Sequence, residues 1–158
     1  MTSLFECRVR YAKIDERSGK TTTVTELYLI DAISYTEAEE RIHKEMEKYI
    51  SGEFAVKGIK PANYSEVILD EIMADKYFKV KTTSVICDDN GLEKKTTDYT
   101  LYLSDNIKNA LERAIKSNER MCVDYIIVNV SETAIVDFFQ YNVQQASEDN
   151  KSKAFKDE

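Results

Sequence analysis

TELYLIDAISYTEAEERIHKEM, residues 25–46, holds the change of period that decides the fold. Its opening is apolar and β-branched in the manner of a strand, and its end places Ala38, Ile42 and Met46 four apart, as on one face of a helix. Between them Thr36-Glu37-Ala38-Glu39 has the form of a capping box. A related passage follows at 97–115, TDYTLYLSDNIKNALERAI. Leu27-Tyr28-Leu29 finds its match in Leu101-Tyr102-Leu103, and Ala38 and Arg41 find theirs in Ala110 and Arg113, about 72 positions on.

The match extends outward in both directions. Upstream, Phe5, Cys7, Val9 and Tyr11 alternate with Glu6, Arg8 and Arg10, as Phe78 and Val80 alternate with Lys79 and Lys81. Gly19 and Asn90-Gly91 mark the turns of two hairpins. The second helix is expected to start from Ser104 or Asp105 and to carry Ile107, Leu111, Ala114 and Ile115 as its apolar stripe. Downstream, strands at 54–59 and 64–69 are answered by strands at 125–130 and 134–139. The expected fold is α+β, a tandem pseudo-symmetric repeat of two ββαββ units, each an antiparallel sheet with one helix. The first unit covers 1–70 and the second 78–140, with a linker at 71–77 and a polar, disordered tail at 141–158. One helix covers one face of a small sheet, so the other face is left to water or a partner.

Composition narrows the chemistry. The chain has 158 residues with 22 Lys and Arg against 29 Asp and Glu, one His, three Cys and a net charge of −7. That sign opposes binding of nucleic acid through the overall field. Acidity is spread over both units, with 10 basic against 13 acidic residues in 5–70 and 8 against 10 in 78–139. Cys7, Cys87 and Cys122 are odd in number and set among apolar neighbours, which suits reduced, partly buried thiols in a cytoplasmic protein. No segment has the length and apolarity of a signal peptide or membrane span, so no membrane partner is expected.

Few residues suggest catalysis. His43 has Glu39 and Glu47 within one helical turn but no second ligand at metal spacing, and reads as a surface histidine. Asp31, Glu37, Glu39 and Glu40 suit the positive end of the first helix. Asp88-Asp89-Asn90-Gly91 lacks the spacing of a calcium loop and reads as a turn. No catalytic residue, metal ligand or cofactor is therefore assigned, and an enzyme is not expected. The strands offer more. If Leu27, Leu29, Leu101 and Leu103 face the helices, then Arg8, Arg10, Tyr28, Lys79, Lys81 and Tyr102 share the open face, in company with Glu6, Glu26 and Asp98. Cations beside aromatics suit a protein interface, including self-association, and also the stacking of bases.

Phe5-Glu6-Cys7-Arg8-Val9, the run 29–39 (LIDAISYTEAE), Ile50-Ser51-Gly52-Glu53-Phe54, Ala62-Asn63-Tyr64-Ser65-Glu66 and Ser131-Glu132-Thr133-Ala134-Ile135 together give a resemblance. The chain resembles, over about residues 4–140, a family of uncharacterised small proteins known only as a domain of unknown function. That family is met in Bacteroidota genomes and in their phages and mobile elements. The resemblance brings no activity, substrate or catalytic residue. It implies a phage-encoded or mobile-element accessory protein inside a bacterial cell, or in a virion. The expectation is a non-catalytic interaction module working through protein contacts. The alternative is a binder of single-stranded nucleic acid or a small anionic nucleotide on the basic, aromatic sheet face.

Overall fold

A computed structural model describes residues 2–70 and 73–141. Strands β1 (Ser3–Ile14) and β2 (Thr21–Ala32) precede helix α1 (Tyr35–Tyr49), and β3 (Phe54–Pro61) and β4 (Glu66–Ile68) follow it. The order then repeats as β5 (Lys76–Cys87), β6 (Glu93–Ser104), α2 (Ile107–Glu119), β7 (Asp124–Glu132) and β8 (Ile135–Phe139). The class is α+β, with two helices and two four-stranded sheets among the described residues. Lys76 and Tyr77, expected in a linker, already belong to β5. The tail expected to be disordered lies outside the described residues, apart from Tyr141.

Local chemistry sets the turns and caps. Asp15 accepts the backbone N–H of Gly19 on its carbonyl at 2.8 Å and that of Arg17 on its carboxylate at 3.0 Å, while Gly19 takes φ 67°. In the second hairpin the Asp88 carboxylate accepts the N–H groups of Asn90 and Leu92 at 3.0 and 2.8 Å, and Gly91 takes φ 77°. Positive φ is cheap only without a Cβ, so these two glycines fix where the strands reverse. Ser34, ahead of the expected capping box, is the cap of α1 and accepts from the Glu37 N–H at 3.2 Å. Asn106 caps α2 in place of Ser104 or Asp105, accepting from the Asn109 N–H at 2.8 Å.

Sheet order departs from the expected antiparallel units. The first sheet runs β3-β1-β2-β8 and the second β4-β6-β5-β7, so the last strand of each half lies in the sheet of the other. β8 pairs parallel to β2, and β4 parallel to β6, which makes both sheets mixed. The crossing is short. Ala62 donates its N–H to the Leu4 carbonyl in the first sheet at 2.9 Å, and three residues later Ser65 donates to Tyr99 in the second at 2.8 Å. The return crossing leaves from Thr133, whose N–H and hydroxyl both donate to the Tyr77 carbonyl at 2.8 Å. A strand that crosses satisfies the backbone edge of β2 or β6, which its own half leaves open.

The two faces of each sheet are covered differently. Phe5, Cys7, Val9, Tyr28 and Ile30 pack with Ala38, Ile42 and Met46 of α1, and Phe78, Val80 and Tyr102 pack with Ala110 and Ala114 of α2. Alternate residues turn the other way. Leu4, Leu27 and Leu29 of the first sheet meet Tyr77, Leu101 and Leu103 of the second in a third cluster, closed by Val67 of β4 and Ile135 and Phe138 of β8. The layers are therefore α1, first sheet, second sheet, α2. The face expected to be open is an inter-sheet core at one end, while Arg8, Arg10, Thr23, Thr25 and Thr97 toward the hairpin tips, and Asn129 and Ser131 along β7, are exposed.

Candidate functional site

The six residues expected on one binding face fall on two. Tyr28 lies opposite Cys7 in the β1–β2 ladder and is 8% exposed; Tyr102 lies opposite Phe78 and is 4% exposed. Both belong to the helix-side cores. Tyr28 stacks on Phe139 with centroids 5.7 Å apart and donates its hydroxyl to Glu26, and Tyr102 lies beneath the Arg113 guanidinium at 5.3 Å. Burial, with the Glu26 hydrogen bond second, pushes the Tyr28 phenol well above its ordinary pKa. The reason for the misplacement is physical. Leu27 and Leu29 face the other sheet and Tyr28 and Ile30 face the helix, so an apolar run that serves two cores gives no inside or outside by alternation.

Arg8, Arg10, Lys79 and Lys81 do share the inner side of their sheets, with Arg8 and Arg10 exposed and Lys79 and Lys81 half-buried. Their expected counter-charges are elsewhere. Glu26 lies opposite Val9 on the helix side, accepting from Tyr11 at 2.8 Å as well as from Tyr28, and Asp98 lies opposite Thr82, accepting from Ser65 at 3.2 Å. Glu6 stays on the inner side but is engaged by Lys60 at 3.5 Å and by the phenol of Tyr64, which burial and Glu6 push up to about 12. Among the described residues no carboxylate pairs with Arg8, Arg10, Lys79 or Lys81. The aromatic beside these cations is Tyr99, which sits opposite Lys81 and has the Lys79 ammonium 4.6 Å from its ring centroid.

Other candidates resolve more simply. His43 is half-buried with its ring 5.4 Å from that of Phe54. Cys7 is buried, and burial pushes its thiol up to about 12; Cys87 and Cys122, expected to be partly buried, are exposed. An open groove of about 580 Å³ lies near the first crossing, lined in part by Asp31, Tyr64, Glu66 and Tyr141. Among the described residues no three His, Cys, Asp or Glu side chains are grouped to hold a metal. No helix among them is long and apolar enough to cross a membrane.

Two surface features escaped sequence reading. On α2 the core-facing residues are Ala110 and Ala114; of the expected stripe only Ala114 is buried, while Ile107, Leu111 and Ile115 are 37–51% exposed. On β7, Ile126 and Val128 are 63% and 53% exposed along a strand that, among the described residues, pairs only with β5. The equivalent edge of the first sheet, β3, carries Lys57, Gly58, Lys60 and Pro61, the residue types that blunt an edge against pairing. β7 reads DYIIVNVSE and shares with β3 only a bulge, at Val128 against Lys57. The signal was present in the composition of the two strands, but which strands are edges depends on the crossings.

No curated protein and no solved structure matches the chain. The family described as a domain of unknown function (DUF4494) matches residues 3–141, from the first residue of β1 to just past the end of β8. The match takes in both sheets, both helices and both crossings, and the chain belongs to that family.

Proposed function

We propose that the chain is a non-catalytic interaction module, built as two pseudo-symmetric ββαββ units and acting through protein contacts as an accessory protein of a phage or mobile element in the bacterial cytoplasm. The two-unit reading is supported by contacts that recur about 72 residues apart. Arg41 donates to the Asp31 carbonyl and Arg113 to the Leu103 carbonyl, and the bond from Ala62 to Leu4 has its counterpart in the bond from Thr133 to Tyr77.

The interaction reading rests chiefly on the β7 edge. Its outward N–H and C=O groups and its exposed Ile126 and Val128 offer a partner both backbone hydrogen bonds and apolar burial. The apolar row on α2 offers burial alone. The nucleotide alternative loses the two tyrosines that were to stack bases, since both are buried.

Affinity capture from a lysate of the natural host, with wild type beside Ile126→Lys/Val128→Lys, tests this. A stoichiometric protein partner retained by the wild type and lost by the variant is expected, with the two proteins melting alike. Equal retention by both, or none by the wild type, contradicts it.

A further inference from the structure

Resting on that interaction reading, we infer that the β7 edge takes an acidic, extended segment of a partner protein as an added strand of the second sheet. The inner side of this sheet is read in cross-strand rows. Ser131 of β7 leads to Lys79 and Leu101, Asn129 leads to Lys81 and Tyr99, and Ile126 leads to Thr83 and Thr97. In the first two rows the residue between the lysine and the free edge is a short polar one. A strand laid along β7 at the usual spacing of about 4.8 Å stands about 10 Å from β5, within reach of a lysine side chain extended toward a carboxylate.

Lys79 and Lys81 are half-buried and have no ion-pair partner among the described residues. Carboxylates two residues apart on the incoming strand, opposite Ser131 and Asn129, would meet them, and an apolar residue would cover Ile126. Asp124 and Glu132 at the ends of β7 bias the segment against acids at its own ends. Like-charge contact also opposes the pairing of two β7 strands about Val128, which sets Asp124 against Glu132 of a second copy. A single-stranded nucleic acid fits less well, because the aromatic in these rows, Tyr99, has an ammonium over its ring.

The test uses the full chain and defined probes: a capped eight-residue peptide alternating Val and Glu, the same peptide with Lys for Glu, and a twelve-residue oligothymidylate. Backbone amide exchange and shifts are read at 124–132. The Glu peptide is expected to bind, to slow exchange of the outward amides of β7, and to bind about tenfold more weakly to Lys79→Glu/Lys81→Glu. Equal or tighter binding of the Lys peptide overturns the acidic partner while leaving edge docking in place. Tighter binding of the oligonucleotide at the same face assigns that face to a phosphate polymer. Outward amides already protected in the free chain assign the edge to a second copy or to this chain's own residues. Absence of binding at millimolar peptide overturns the inference, and the interaction reading is then judged by host capture with Ile126→Lys/Val128→Lys.

Discussion

Tyr28 shows how one side chain redirects the account of a surface. Counted as a binding residue it would be removable at no cost to the fold. Buried against Phe139 and bonded to Glu26, it is structural. Tyr28→Ala is expected to cost about 3–5 kcal/mol, the range for emptying an aromatic site in a core, and Tyr28→Phe about 1 kcal/mol through the lost hydroxyl bond. Denaturant unfolding of the two variants measures both. Arg8→Ala and Arg10→Ala, at exposed positions without ion pairs among the described residues, are expected to leave stability within about 0.5 kcal/mol of wild type. The cysteines separate in the same way. At pH 8 a thiol reagent is expected to label Cys87 and Cys122 in the native protein, and Cys7 only on unfolding, since burial holds it protonated. The Tyr64 and Tyr77 phenols are raised from 10 to about 12 in the folded state. The native state therefore holds these protons more tightly. The stability they add is complete below pH 10 and is lost as pH rises from 10 to 12, so Tyr64→Phe is expected to move alkaline unfolding to higher pH.

Among the elements, the alternation of β1 over 5–9 and of β5 over 78–80, and the helical spacing of Ala38, Ile42 and Met46, were legible, because there one side faces a helix–sheet core and the other carries charged residues; only Leu4 and Tyr77, at the strand ends, join the inter-sheet core. Legibility failed where both sides are used. The run from Leu27 to Ile30 divides between two cores, and α2 meets its sheet through Ala110 and Ala114, letting larger Ile107, Leu111 and Ile115 reach solvent. A small contact residue sets a close approach of helix to sheet. Ala110→Leu is thus expected to cost about 1–3 kcal/mol by overpacking, whereas Ile107→Ala, at a half-exposed site, costs less than about 1 kcal/mol. Thermal melts of the two variants compare them directly. The candidate face was legible in its four cations and Glu6. Glu26, Asp98 and the two tyrosines were assigned to the wrong side with the leucines, and the β7 edge could not be recognised from local periodicity.

At the scale of the molecule the crossings dominate. The order β-β-α-β-β, which occurs twice, follows from local patterns, but the partner of a fourth strand is fixed by a hydrogen-bond ladder to the other half, which no local pattern carries. Each sheet is complete only with a strand from the other half, and the inter-sheet core draws on both. One cooperative unfolding transition is expected, coincident by fluorescence and circular dichroism. Two transitions would mean that the halves hold themselves together without the crossings.

The same topology leaves β7 as an edge that is uncharged over 125–131 and carries carboxylates only at its ends, beside a pair of lysines, and the proposed function stands on that edge. Amide exchange of the full chain with and without its captured protein partner tests it most directly. The account predicts slowed exchange at the outward amides of 124–132 and unchanged exchange at β3. Protection placed on β3 or on the outer row of α2, with β7 unchanged, would contradict it.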